Sequence, residues 1–320
     1  MLKILMTAVP LIVALTATAV AQDTYPDRPV RMIHGFAAGG NADSVSRIMA
    51  DEMSRGLGQP VIVEAKPGAG GNLASDFLAK AKPDGYTMQL MVGGHTVSAA
   101  LYNKLPYDSV KDFTFVSTIG QFPFFVAARS GAFSSIEDVI AKAKAAPGTI
   151  KIGHSGIGTT QHLTGELLGL KTGAKFVHIP YKGGAAASTA LLGGEVDLLI
   201  DAGTVVRGQA AAGTFQILAV SSAQRWPDSP DVPTLAETVS PDFNIVSWTA
   251  IGMPAGVDPA IVEKVGAEID RTLAIPQVQE KIRALGAEPK ASSSEEFKAM
   301  VERQISVWTE VVNAAGVQRL

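Results

Sequence analysis

From about residue 30 onward, short apolar, β-branched runs alternate with stretches of helical period, the pattern of an α/β protein. Val30-Arg31-Met32-Ile33 predicts a first strand. Ala37-Ala38-Gly39-Gly40-Asn41 follows, then a helix from about Ser44 to Leu57. Asp43 is the expected N-cap, because its carboxylate accepts the orphan N–H groups of a first turn. Pro60 to Glu64 predicts a second strand, followed by Lys66-Pro67-Gly68-Ala69-Gly70-Gly71 and a helix through Ala81. A third strand runs from Tyr86 to Val92 and ends at Gly93-Gly94-His95-Thr96.

The rhythm then changes. Phe113 to Ile119 and Phe122 to Ala128 read as two extended runs separated by Gly120-Gln121. The alternation restarts with a helix from Ser135 to Ala145 and strands at 149–152, 176–179, 196–200 and 215–221. Helices run through Leu170 and to Leu192 between them. Past Pro227, Pro230 and Pro233, an extended run covers Asn244 to Met253, and helices are expected at 258–273, 276–285 and 295–314. In the last, Phe297, Val301, Ile305 and Trp308 recur at helical spacing, an apolar stripe facing a core.

Two similar alternations, roughly 25–118 and 130–220, thus precede a mostly helical return segment. If the return helices cover the first alternation, the chain crosses between two lobes twice, near 119–125 and 244–252. The expected division is 22–121 plus 245–320 for one lobe and 122–244 for the other, with a cleft between them.

Composition narrows the function. The 320 residues carry 27 basic and 30 acidic side chains, a formal net charge of −3, so neither a nucleic-acid footprint nor a polybasic membrane patch is present. The absence of cysteine removes disulfides, iron–sulfur clusters, thiol chemistry and cysteine-ligated zinc. Residues 1–21 have the form of a signal peptide: Lys3, an apolar run, and Ala19-Val20-Ala21 as an A-x-A cleavage site. The run barely reaches the ~20 residues of a bilayer span. The expectation is a soluble, exported, periplasmic product.

Ligands of open α/β sheets collect at the carboxyl ends of strands, where helix N-termini offer free N–H groups to anions. The glycine turns at 37–41, 67–71, 153–160 and 181–184 fit that role, and a pair of them from opposite lobes would clamp a carboxylate or phosphate. Gly153-His154-Ser155-Gly156-Ile157 comes within one residue of the G-x-S-x-G nucleophile elbow. Ile stands where close packing wants a small residue, and His162 and His178 follow too soon for a hydrolase base. The phosphate-loop and dinucleotide fingerprints are absent. His34, His95, His154, His162 and His178 contain no H-E-x-x-H and read as hydrogen-bonding residues rather than metal ligands; no metal or cofactor is expected. His154 and His162 are eight apart across a turn, not a helical ligand pair. Asp201, at a strand end, either binds a ligand amino group or caps the helix after Ala202. Trp248 belongs to the core or lines the cleft.

An ordered series of short motifs carries a resemblance. Tyr25-Pro26-Asp27-Arg28-Pro29-Val30-Arg31 precedes Phe36-Ala37-Ala38-Gly39-Gly40 with Asp43, and Pro67-Gly68-Ala69-Gly70-Gly71 and Pro83-Asp84-Gly85-Tyr86-Thr87 follow. Leu105-Pro106-Tyr107-Asp108, Gly158-Thr159-Thr160-Gln161-His162-Leu163, Pro180-Tyr181-Lys182-Gly183, Val232-Pro233-Thr234 and Pro254-Ala255-Gly256 continue it. Together these resemble the Bug family of tricarboxylate-transport-type solute receptors. The departures are His34-Gly35, where relatives carry an apolar residue and proline, Ala65 in place of Asn, and the surroundings of His154.

The resemblance implies a two-lobed, type II-like periplasmic binding protein that closes on a small organic acid. Its partner would be a membrane permease with one large and one small subunit. It also implies a first-turn carboxylate site at Phe36, Ala37, Ala38, Gly39, Gly40 and Asn41. Ser155, Gly158, Thr159 and Thr160 would face it from the other lobe, and Gly94, His95, Tyr181, Lys182, Gly183 and Asp201 would line the remainder. The expectation is therefore a monomeric carboxylate receptor and not an enzyme. The alternatives are a ligand sensor for a membrane kinase and a secreted serine hydrolase using Ser155.

Overall fold

The computed structural model describes residues 25–314 and 316–320; the segment 1–21, expected to be a signal peptide, lies outside the described residues. Strand β1 (Val30–His34) leads into α1 (Asn41–Leu57), then β2 (Val61–Ala65), α2 (Asn72–Ala79), β3 (Thr87–Val92) and α3 (Gly94–Leu101). A long strand, β4 (Phe113–Arg129), precedes α4 (Ile136–Ala145), β5 (Lys151–His154), α5 (Thr160–Thr172), β6 (Val177–Pro180), α6 (Gly184–Gly193) and β7 (Leu198–Ala202). The chain continues through α7 (Gly203–Ala211), β8 (Phe215–Val220), α8 (Leu235–Thr238) and β9 (Val246–Pro254). It ends with α9 (Pro259–Leu273), α10 (Pro276–Ala284), the short β10 (Glu288–Pro289) and α11 (Ser294–Ala314).

The strands lie in the order β2-β1-β3-β9-β4-β7-β5-β6, with β8 and β10 also pairing β4. Each half repeats one plan. In the first, β2, β1 and β3 are parallel and β9 joins β3 antiparallel. In the second, β6, β5 and β7 are parallel and the end of β4 joins β7 antiparallel. Parallel pairing with helical crossovers points the carboxyl ends of three strands in each half the same way.

β4 belongs to both halves. Its residues 113–123 pair β9, residues 124–128 pair β7 and residues 125–129 pair β8. The two extended runs expected around Gly120-Gln121 are thus one strand of 17 residues. The glycine marks a docking point rather than a break: a Cβ at Gly120 would stand 2.8 Å from the Glu288 carbonyl of β10. The register slips beside it, between Thr118 and Gly120, where the strand bends.

The return helices cover the first half, as α9 and α10 pack on α1, and α11 packs on α3 and β4. Phe297 and Trp308 anchor α11. Phe297 meets Phe115 and Trp248 edge-on at centroid distances of 5.0 and 5.2 Å, the geometry aromatic quadrupoles favour. Ile305, expected in the same stripe, is half-buried. Trp248 lies in this core, its Nε1 donating to Gln304 Oε1 at 2.7 Å, and does not line the cleft.

Helix α1 begins three residues before the expected start, with Gly40 at its N-cap. Asp43 sits inside the first turn instead, accepting from Gly39 N at 3.0 Å and from Arg47. The short helix α3 escaped the sequence reading because Gly94-His95-Thr96 is weakly helical and the segment is nearly all buried.

Because Phe297 is fully buried between two rings, Phe297→Ala is expected to cost about 3–5 kcal/mol, as large-to-small core changes of aromatic residues do. Urea denaturation at fixed m-value reads this directly.

Candidate functional site

The topology aims five helix N-termini at one place. A cavity between the two halves of the sheet is walled by Gly40, Asn41 and Ala42 from α1, Gly94 from α3, and Thr159, Thr160 and Gln161 from α5. Gly184 opens α6, and Asp201 stands just ahead of α7. The first N–H groups of a helix have no intrahelical acceptor. In α5 the Thr159 hydroxyl accepts one of them, from His162. The N-cap residues of α1, α3, α6 and α7 are Gly40, Gly93, Gly183 and Ala202, and none provides a side-chain cap. Four helices therefore leave their donors, and the positive ends of their dipoles, uncapped at the cleft.

The halves touch around this cavity. Ala37 N donates to Lys182 O at 3.1 Å, Thr204 Oγ1 to Asn41 Oδ1 at 2.7 Å, and Ser98 Oγ to Gly158 O at 3.2 Å. The cavity between these contacts measures about 30 Å³, room for roughly two waters. On its outer side a groove of about 540 Å³ is lined by Gly68, Gly70, Tyr102, Gly156, Tyr181 and Lys182, among others, and Ser155 borders both spaces. Among the residues lining either space, Lys182 alone carries a positive charge.

Asp201 is the charged group of the inner wall. It is 2% exposed. Burial pushes its carboxyl above the usual carboxylate range, while Ser155, Ala202 N and Gln161 act in the opposite direction by donating hydrogen bonds. The Ser155 hydroxyl donates to Asp201 Oδ2 at 2.6 Å, and Ala202 N to Oδ1 at 2.8 Å. Ser155 thus meets a carboxylate directly, with no imidazole between them. Its neighbour His154 turns away, with Nδ1 3.0 Å from Gly156 O. A Ser–His–Asp relay needs the histidine in the middle.

Of the expected site residues, the structure gathers Phe36, Gly40, Asn41, Gly94, Ser155, Thr159, Thr160 and Asp201 at the inner cavity. Tyr181, Lys182 and Ser155 line the outer groove. Ala37 and Gly183 form the seam between the two spaces, while Ala38 and Gly39 are exposed. Gly158 contacts Ser98 and Tyr102 across the seam. His95 points away from the cavity: its Nε2 approaches Ser109 O at 2.8 Å and its ring stacks on Tyr107. Burial pushes His95 down to about 4 despite that carbonyl.

Sequence reasoning missed Ala42, Val92, Phe122, Phe124, Gln161 and Ser247 in the lining, and had Gly184 only as the end of the turn 181–184. Gln161 sits in the motif Gly158–Leu163 and was within reach. Phe122, Phe124 and Ser247 come from the crossing strands, where nothing in a one-dimensional pattern tells lining from core.

Two α/β lobes with matching strand plans, and a cleft lined by helix N-termini, define a periplasmic-binding-protein fold. The chain belongs to the tripartite tricarboxylate transporter family receptors, the TctC family, whose model matches residues 45–317. The periplasmic binding protein BugD is 35% identical, with a TM-score of 0.89 over 92% of this chain and 100% of its own. A Rhodopseudomonas palustris protein solved with adipate, Rpa4515, is 32% identical, with a TM-score of 0.89 over 92% of this chain and 100% of its own. MatC from the same organism, solved with bound malate, is 30% identical, with a TM-score of 0.86 over 90% and 100%. Members of the family are solute-binding receptors.

The His95 environment sets a pH dependence. The folded protein keeps this imidazole neutral down to about pH 4, whereas an unfolded histidine takes a proton near pH 6.5. As pH falls below the unfolded value, the unfolded state gains the proton first, so stability present above that value is lost on acidification. Between pH 7 and 5 the loss is about 2 kcal/mol for this one group. His95→Gln, which keeps a donor for Ser109 O, should flatten the pH slope of chemical denaturation by that amount.

Proposed function

We propose that this chain is a periplasmic receptor that closes on a small organic carboxylate and delivers it to the membrane permease of a tripartite tricarboxylate transporter. One observation carries the reading: four uncapped helix N-termini and a fifth capped one meet at a single cavity between the lobes. Oriented N–H groups in a dry site hold an anion without a cation, since their dipoles are fixed before binding. The carboxylates bound to Rpa4515 and MatC support the ligand class.

A carboxylate takes the inner cavity, within reach of the first-turn amides of Asn41, Gly94, Thr160 and Gly184. At about 30 Å³ the closed cavity admits no organic acid from outside, so the lobes part for entry. Ligand contacts to both lobes then favour the closed state. The lobes are 22–121 plus 245–320 and 122–244, a division supported by the change of β4 partners at Pro123 and Phe124. Residues 1–21 direct export and are removed. Among the described residues no helix is long and apolar enough to cross a membrane.

Asp201 selects within the class. As a buried acceptor it favours a ligand hydroxyl or amino donor. When ionised, it repels a second carboxylate placed beside it.

Three results test this. Malate, adipate and related acids are screened by thermal shift; at least one should raise the melting temperature in a concentration-dependent way, and a panel without any shift contradicts the reading. Gly94→Val places its side chain where a Cβ already stands 3.6 Å from Thr159 Cα of the other lobe. It should weaken ligand affinity at least tenfold, by calorimetry, while the ligand-free melting temperature stays within a few degrees. Finally, ester substrates should show no turnover that disappears in Ser155→Ala; Ser155-dependent turnover would instead favour hydrolysis.

A further inference from the structure

Three of the five histidines meet at one place in the second lobe, behind the ligand cavity. His154 ends β5, His178 lies on β6, and His162 lies in the first turn of α5. The register sets Ile152 opposite His178 and His154 opposite Pro180. Residues two apart on a strand share a face, so both strand histidines project to the same side of the sheet. The helix brings His162 and Glu166 together at i and i+4. Gly165 makes the room: a Cβ there would stand 2.6 Å from His178 Cε1.

The three ring centroids are consequently 4.9, 5.4 and 5.8 Å apart. One nitrogen from each ring lies within 4.8 Å of the other two. The eight-residue separation of His154 and His162, read from sequence as arguing against a ligand pair, does not keep them apart. The fold closes the β5–α5 turn and adds the third ring from the neighbouring strand.

The hydrogen-bond ledger of this cluster is open. His154 Nε2, His162 Nδ1 and His178 Nδ1 are all buried without a partner, and an unpaired buried polar atom is costly. The other nitrogens are oriented. His154 Nδ1 lies 3.0 Å from Gly156 O and 3.3 Å from Gly156 N, the shorter contact being the one to the carbonyl, and Glu166 Oε1 stands 3.4 Å from His162 Nε2 and 3.6 Å from His178 Nε2. In the tautomer that donates from His154 Nδ1 to Gly156 O and from the Nε2 atoms of His162 and His178 toward Glu166, the three unpartnered nitrogens are bare lone pairs. That is how metal-ligating imidazoles are held, each with its far N–H on a carbonyl or carboxylate.

The geometry points to a divalent transition-metal site of the zinc type, with His154, His162 and His178 as ligands and Glu166 as the carboxylate orienting two of them. Imidazole donors suit Zn²⁺, Ni²⁺ and Cu²⁺. Bonds of about 2.0–2.1 Å put tetrahedral ligand nitrogens roughly 3.4 Å apart, so the rings close in by about an ångström or slightly more on binding. Glu166 is about a third exposed, which gives the ion a path and leaves a fourth position for water.

The test uses the tag-free, chelator-treated protein with Zn²⁺ and Co²⁺ as probes. One equivalent of Zn²⁺ should bind at micromolar affinity or tighter against a chromogenic chelator, and Co²⁺ should give the visible bands of a four-coordinate site. In the unmutated chain, NMR of labelled histidines should show three imidazoles shifting with Zn²⁺ while His34 and His95 stay in place. His162→Gln and His178→Gln should each weaken Zn²⁺ binding about a hundredfold, and Glu166→Gln about 10–100-fold. No stoichiometric metal below a hundred micromolar overturns the site. So does a shift confined to other histidines, or equal affinity in the double variant His162→Gln/His178→Gln.

Discussion

The structure turns on where the positive ends of its helices are left. An α/β unit with parallel strands delivers every helix N-terminus to the same edge of its sheet. Two such units set face to face bring both edges to one cleft. The sequence then withholds the caps: Gly40, Gly93, Gly183 and Ala202 stand where serine, threonine or aspartate would satisfy the first turn internally. A capping side chain at each would have stabilised the empty fold by roughly 1 kcal/mol. On the proposed function, leaving the donors free gives that interaction to the anion that enters.

The arrangement also explains why the inner cavity lacks a cation. A lysine or arginine there would need its own counter-charge in the closed, dry state, whereas main-chain dipoles need none. Asp201 shows the cost of the alternative. Buried at the wall, it keeps three hydrogen-bond donors and still holds its proton more tightly than a solvent-exposed aspartate. On the proposed function, its presence would tilt the site away from a bare polyanion and towards an acid that brings a donor of its own.

Much of the fold was legible because it rests on local signals. Apolar runs and glycine turns predicted β1, β2, β3 and the four strands β5 to β8 of the second half, and the stripe of Phe297, Val301 and Trp308 predicted how α11 packs. The errors arose where a tertiary contact overrode a local cue. Gly120 read as a break because glycine usually punctuates a chain, yet here it makes room for the backbone of β10. Asp43 read as an N-cap, but the chain turns earlier and the carboxylate serves Gly39 and Arg47 instead. For the site, the turns at 36–41 and 155–160 announced themselves, while Phe122, Phe124 and Ser247 did not. Strands that cross between lobes look like core strands in one dimension. The histidine cluster lay beyond reach for a related reason: its members come from two strands and a helix, and only the parallel register of β5 and β6 assembles them.

The most direct measurement is a crystal structure of the chain with a bound dicarboxylate such as malate. One carboxylate should lie in the inner cavity, its oxygens about 3 Å from first-turn main-chain nitrogens of both lobes, among those of Asn41, Gly94, Thr160 and Gly184. A carboxylate seated instead on the Lys182 side of the outer groove, touching none of these nitrogens, would contradict the account.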